Sequence, residues 1–464
     1  MKHIDIKNLL IDDSYIDKEL VVCGWIKTIR KTKQYFFIEL SDGTSMQNLQ
    51  IIVDKSDETL AKVLENVTTG TTIKATGKIV KSNTYKQNVE MVLHNVQVLG
   101  TCSNDYPLQK KKQNLETLRE LPHLRSRTNT ISAVLKVRST IMRAIHEYME
   151  QLNFTYVNTP IITRSNCEGA GEMFQVTTLN VPFTNEKNIS NTNIYKEDFF
   201  GRKVNLTLSG QLEVESLIYG LGKAYNLGPC FRADDSNTKK HAAEFWLMEA
   251  EIAFANMYET INVSTDLVKF IAQKVLEKNY EEILFLNKFH DENLEQKIIK
   301  LIKEDFEIIE YDKAIQILKN SCHNFSYEVS NRCDLKSEHY NYLMNKYIKK
   351  PFYLTNYPKE FKPFYIKETK NENVLSADLY FPNLGDVIGV SEKEENYEIL
   401  KKKIKELGMP EEEYNWYLDL RKYGSVPHSG FGLGIERLTM YLTSMENIRD
   451  TIPFPRTKCK SLKL

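Results

Sequence analysis

Little in this chain is in excess. Lysine plus arginine and aspartate plus glutamate each number 62 among 464 residues, so the formal net charge is zero. That excludes a global basic field, and a nucleic-acid partner would have to be held by local patches. Cysteine is sparse, with seven residues scattered at 23, 102, 167, 230, 322, 333 and 459 and no Cys-x-x-Cys pair. Zinc knuckles and redox pairs are therefore not indicated, and the odd count favours reduced thiols in a cytosolic setting. No apolar run approaches the ~20 residues needed to span a bilayer. The opening MKHIDIKNLLIDDSYID is mixed in charge, unlike a signal or transit peptide. These absences lead to the expectation of a cytoplasmic protein with no membrane partner. What remains is 41% hydrophobic and 27% charged, the balance of a globular enzyme, at a length that suggests several domains.

Residues 1–100 contain five strand-like runs rich in apolar and β-branched residues, with a helix-like stretch from Asp57 to Asn66 after the third. That order predicts an OB β-barrel. Lys27, Arg30, Lys31 and Lys33 make a basic patch beside aromatics, which suits single-stranded nucleic acid; a purely structural barrel is the alternative. Residues 101–125 lack a period, carry Lys110, Lys111 and Lys112, and read as a linker or hinge. From residue 126 to 464 a second, larger domain is expected. It opens on a helix with an apolar stripe at 134, 137, 141, 145, 148 and 152, and Leu206 to Leu212 reads as a strand ending in polar groups.

The chemistry concentrates in two stretches. Phe231 to Glu251 reads as two strands joined by a polar loop. Arg232 supplies a planar fork, Lys239, Lys240 and His241 supply loop charges, and Phe245 offers a flat face for a base. Gly430 to Arg437, GFGLGIER, alternates glycines at 430, 432 and 434 before Arg437, as where a ligand must approach backbone closely. Asp378 and Asp386, on neighbouring strands, suit Mg²⁺ shared with phosphates, or else are turn aspartates.

Together these stretches resemble motif 2 (Phe-Arg-x-Glu) and motif 3 (Gly-x-Gly-x-Glu-Arg) of class II aminoacyl-tRNA synthetases. The runs Glu168 to Phe174 and Ser209 to Glu213 are most similar to the asparaginyl-tRNA synthetases of class IIb, and the likeness runs from about Gly24 to Arg456. The resemblance implies an α+β fold, with the barrel followed by an antiparallel sheet flanked by helices. It implies an asparagine–tRNA ligase using ATP and Mg²⁺, with L-asparagine and tRNA(Asn) as partners. By it Arg232 and Arg437 are catalytic. Asp234, His241, Phe245, Gly432 and Gly434 join them around ATP, with adenine between Phe245 and Arg437. Glu168, Gln211, Glu213, Glu215 and Lys393 hold the amino acid, and Asp378 and Asp386 hold the metal. Arg30, Phe37 and Gln50 read the anticodon. The striped helix and the strand ending at Pro160 form a homodimer interface.

The chain departs from the family pattern at Asp234 and Asp386, where glutamate is usual. It departs again at Val390 and Lys393 in Gly-Val-Ser-Glu-Lys, where Gly-Gly-Ser-x-Arg is usual. An aspartyl-tRNA synthetase is the main rival; its pattern puts lysine where this chain has Val214. A non-catalytic paralogue would be expected to lose Arg232 or Arg437, and an amide-forming relative to lack the barrel.

Overall fold

The strand-like runs of the first hundred positions close into a barrel. The computed structural model describes residues 2–82, 87–109, 113–167, 172–179, 194–236 and 238–458. Lys110, Lys111, Lys112 and Glu168 fall outside the described residues. Two compact units make up the chain, Met1–Ala133 and Val134–Leu464. The first contains α1 (Ile6–Ile11), β1 (Glu19–Lys31), β2 (Tyr35–Ser41), β3 (Leu49–Asp54), α2 (Glu58–Glu65), β4 (Thr72–Lys81), β5 (Val89–Gly100) and α3 (Leu115–Arg119). The strands close in the order β1-β2-β3-β5-β4. Inward side chains such as Phe36, Ile38, Ile51, Ile73 and Met91 are buried, each worth roughly 1.5–3 kcal/mol of transfer free energy. Asp57 caps α2 by accepting from the N–H groups of Thr59 and Leu60. α1 was not anticipated. It is too short for its period to register, and it docks Ile6 and Leu9 into the barrel core.

α4 (Asn129–Gln151) runs across the unit boundary. Beyond it come β6 (Thr155–Tyr156), β7 (Ile162–Thr163), β8 (Gln175–Val176), β9 (Val204–Leu206), α5 (Gln211–Leu221), β10 (Lys223–Phe231), β11 (Glu244–Ala253), α6 (Met257–Lys278), α7 (Tyr280–Phe289), α8 (Leu294–Lys303), β12 (Glu307–Glu310), α9 (Tyr311–Lys319), α10 (Ser337–Tyr342), β13 (Phe352–Thr355), β14 (Ser376–Phe381), β15 (Gly385–Glu392), α11 (Tyr397–Glu406), α12 (Glu411–Lys422), β16 (His428–Gly434) and α13 (Ile435–Thr443). Eight strands form one sheet in the order β12-β13-β14-β15-β16-β11-β10-β6. The middle six are antiparallel, as expected. The short edge strands β12 and β6 add parallel pairs that the sequence reading did not include.

Register decides what each face of this sheet carries. Glu249 stands opposite Gly432 and Glu251 opposite Gly430, while Gly432 stands opposite Gly389 and Gly389 opposite Asp378. One face is therefore acids and bare glycine backbone. The other carries Met248, Ala250, Ile388, Val390, Phe431 and Leu433, all buried. Period two separates the working surface from the core.

Two expectations are corrected here. The stripe of α4 is buried inside its own chain, not between subunits: Val134, Val137, Ile141 and Ile145 are inaccessible, and the helix is tied to α6 through Lys274 and Glu147 at 2.6 Å. The stretch Leu206 to Leu212 is not a strand. β9 stops at Leu206 and α5 begins at Gln211, because the buried Glu249 carboxylate accepts from the Gly210 N–H at 2.9 Å and from the Ser209 hydroxyl. Those bonds turn the chain into a helix with Glu213 in its first turn, where a negative charge favours the helix dipole.

Candidate active site

The hairpin of β10 and β11 is closed by a hydrogen bond from the Arg232 N–H to the Ala243 carbonyl at 2.9 Å. The Arg232 guanidinium lies over the Phe245 ring, 5.3 Å from its centroid. Lys240 and His241 project from the loop. Both are pushed down in pKa, first by burial and next by the charge of Arg437, with Asp386 opposing. His241 also senses Asp234 and Arg232. Arg437, in the first turn of α13, reaches Asp386 Oδ2 at 2.5 Å and the Asp386 carbonyl at 2.7 Å. Arg232, Asp234, His241, Phe245 and Arg437 thus share one neighbourhood, crowded with positive charge beside bare backbone. Such crowding is what a polyanion relieves.

The glycines differ in their reasons. A Cβ on Gly430 would lie 2.1 Å from Glu251 Oε1, so glycine is required there by the protein itself. On Gly432 or Gly434 the nearest protein atoms would be 3.9 Å away. Those two leave surface for something else to occupy.

Asp378 and Asp386 lie on the same face, flanking the position of Tyr380. Lys362 holds Asp378 Oδ2 at 2.5 Å, its own ammonium 3.8 Å from the Tyr357 ring centroid. Each of the two acids is therefore neutralised by one basic side chain. Among the described residues no group of three or more His, Cys, Asp or Glu side chains is arranged to hold a metal ion by itself. Two carboxylates form a metal site only when further oxygens come from a ligand, which is the habit of Mg²⁺ with phosphates.

Across the face from the cations, Gln211 begins α5. Its amide donates to Glu251 Oε1 at 3.0 Å and accepts from the Tyr365 hydroxyl at 3.2 Å. Glu213, two residues along, is raised in pKa by burial. Two expected amino-acid contacts are otherwise engaged. Glu215 is fully buried, held by Arg421 at 2.5 Å, His428 at 2.9 Å and the Tyr417 hydroxyl at 2.7 Å. Burial alone would raise its carboxyl, but Arg421 and then His428 overcome this and hold it at about 2. Lys393 is likewise inaccessible, paired with Glu251. Val390 points into the core, so that departure from the family pattern does not face the pocket.

Glu249, Glu251, Lys362 and Tyr365 escaped the sequence reading. Acids alternating with apolar residues in a strand read as a solvent-facing edge; only the matching alternation of glycine in Gly430 to Gly434 hinted at a shared face. Glu249 is buried, and burial pushes its carboxyl up to about 7 against the hydrogen bonds from Ser209 and Gly210. Glu436 is architectural: it pairs with Arg138 at 2.8 Å and accepts from the Trp246 N–H at 3.0 Å.

In the barrel, Arg30 stands opposite Phe37 across β1 and β2, with its guanidinium 4.7 Å from the ring centroid. Gln50, on β3, donates to Glu90 at 3.1 Å. Of the neighbouring cations, Lys27 donates to the Arg127 carbonyl at 2.7 Å and Lys31 to the Glu65 carbonyl at 2.6 Å. Pro160 is exposed.

The profile of the family described as tRNA synthetases class II (D, K and N) matches residues 114–458, and that of the OB-fold nucleic acid binding domain matches residues 20–99. The chain is 44% identical over 462 residues to asparagine–tRNA ligase of Clostridium kluyveri, covering 98% of this chain and 99% of that one. It is 45% identical over 442 residues to asparagine–tRNA ligase of Phocaeicola vulgatus, covering 94% of each. The structure is similar to that of asparaginyl-tRNA synthetase from Pyrococcus horikoshii complexed with asparaginyl-adenylate, with a TM-score of 0.86, 29% identity and 100% of both chains covered.

Proposed function

The chain belongs to the class II tRNA synthetases of the D, K and N group, and from its pocket we infer how it works as an asparagine–tRNA ligase. It is an ATP-dependent enzyme that joins L-asparagine to tRNA(Asn) in two steps. The asparagine carboxylate attacks the α-phosphorus of ATP in line and pyrophosphate leaves. The terminal ribose of tRNA then attacks the acyl carbon and AMP leaves. No side chain serves as nucleophile; orientation and charge supply the rate.

Arg232 follows the charge that develops on the α-phosphate. Phe245 and Arg437 hold adenine between them, and the His241 ring offers an N–H donor toward the γ end. Asp378 and Asp386 fit Mg²⁺ if phosphate oxygens complete its shell, and the ion would neutralise phosphate charge there. Gln211 and Glu213 line the amino-acid end. In the barrel, Phe37 stacks an anticodon base, with Arg30 and Gln50 beside it. The reading places the enzyme in the cytoplasm.

Homodimerisation is supported by exposed apolar side chains: Tyr156 on edge strand β6, Leu217 and Leu221 on α5, and Phe254, which is 76% exposed. Gly222 and Ala253 bring the last two elements together through a 2.9 Å hydrogen bond. Light scattering at micromolar concentration should return twice the chain mass.

One observation carries the functional reading. Arg232, Lys240, His241 and Arg437 gather around glycine-bared backbone whose far end is Gln211, Glu249 and Glu251. Charging of a tRNA(Asn) transcript with labelled asparagine tests it. Preferential charging of tRNA(Asp) with aspartate would hand the assignment to the aspartyl rival.

A further inference from the structure

Lys393 and Glu251 form an ion pair from which water is excluded: both side chains are 0% exposed, with Nζ and Oε1 2.8 Å apart. An ammonium has three N–H donors. Those of Lys393 meet three acceptors, Glu251 Oε1, Ser391 Oγ at 2.9 Å and the Ser391 carbonyl at 3.3 Å. None is left for a substrate carbonyl. The same Glu251 oxygen accepts from Gln211 Nε2, while the Tyr365 hydroxyl donates to Gln211 Oε1. The Gln211 amide is gripped at both ends. A carboxylate can only accept, so the nitrogen of Gln211 must face Glu251. Of the three side chains Gln211 alone is partly accessible; Glu251 and Lys393 lie wholly behind it.

We propose that the Lys393–Glu251 pair is a positioning device: Glu251 fixes the amide of Gln211 so that its second N–H is left for an oxygen of the amino-acid substrate, and Lys393 neutralises Glu251 without touching substrate. This rests on reading Gln211 as an amino-acid contact. It also accounts for the departure at position 393. A substrate ligand there would benefit from the planar fork of arginine, whereas a counter-ion surrounded by three acceptors is matched by the three donors of an ammonium.

Two double variants of the full chain separate the alternatives in ATP–pyrophosphate exchange with asparagine. Glu251→Gln with Lys393→Met removes both charges but keeps an oxygen beside Gln211. Glu251→Leu with Lys393→Met removes the charges and the acceptor. The asparagine KM is expected to stay within about threefold of the parent value in the first and to rise at least about tenfold in the second, with the ATP KM within about twofold in both. Equal asparagine KM values in the two variants, normal or raised, would overturn the proposal. Tyr365→Phe removes the other grip without altering charge or shape, so the test survives if the leucine variant does not fold. It should raise the asparagine KM severalfold, and an unchanged value would count against the proposal. Gln211→Ala checks the reading underneath: an unchanged asparagine KM there would take Gln211 out of the pocket, a failure of that reading and not of the pair.

Discussion

Arg437 and Asp386 neutralise one another, Nη1 to Oδ2 at 2.5 Å, with a second bond from the same nitrogen to the Asp386 carbonyl. Arg437 is proposed to hold ATP and Asp386 a metal ion, so their mutual pairing competes with both ligands. Asp386→Asn should free Arg437 and tighten ATP binding measured without divalent cation. An exposed ion pair is worth up to about 1 kcal/mol, so roughly a fivefold gain is expected in calorimetric titration. Weaker binding would show that the pair does not compete with nucleotide.

Glu215 should prove a stability residue. Its carboxylate is shared by Arg421, His428 and Tyr417 in a site closed to water. Removing one partner of a buried pair leaves the other charge uncompensated, at a cost of about 3–5 kcal/mol. Glu215→Gln is therefore expected to lower the denaturation midpoint strongly. A normal midpoint with altered discrimination between asparagine and aspartate would return Glu215 to the substrate pocket.

These cases show what the sequence could carry. The barrel was legible because strand-length apolar runs such as Tyr35 to Leu40 recur at the right spacing, and the structure then turns alternate residues in and out. The hairpin was legible because Arg232 and Phe245 flank an unmistakably polar loop. The destination of a polar side chain was not legible. Glu213, Glu215, Glu249 and Glu251 look alike along the chain, yet one is partly accessible, one is locked under Arg421, one is raised toward neutrality and one orients Gln211. Those differences come from β11 pairing with β16, and from α5 meeting α12, across nearly two hundred residues. The α4 stripe fails for a related reason: period tells that a face is buried, not which surface buries it.

Glu249 gives the fold a pH dependence. Its carboxyl titrates near 7 in the folded chain against an ordinary value of 4.5, through burial. The folded state therefore holds an extra proton between those values. This contribution is full below about 4.5 and is lost as pH rises through about 7, on the order of 3 kcal/mol at ~1.4 kcal/mol per unit. Glu249→Gln should flatten the decline in melting temperature between pH 5 and 7. An unchanged slope would assign the decline to other groups.

Phe37→Ala tests the barrel. Loss of one stacked base should cost about 1–3 kcal/mol in tRNA binding. Amino-acid activation, which needs no tRNA, should not change. A normal KM for tRNA would mean that Phe37 and Arg30 face solvent in the complex.

The central claim is that this pocket activates asparagine, and ATP–pyrophosphate exchange with each of the twenty amino acids in turn tests it most directly. Asparagine should drive exchange at least about a hundredfold better than aspartate, roughly 2.7 kcal/mol of discrimination. Aspartate brings a second carboxylate to the end of the pocket that carries Glu213, and Lys393 has no donor to spare for it. Comparable exchange with aspartate, or none with asparagine, would contradict the account.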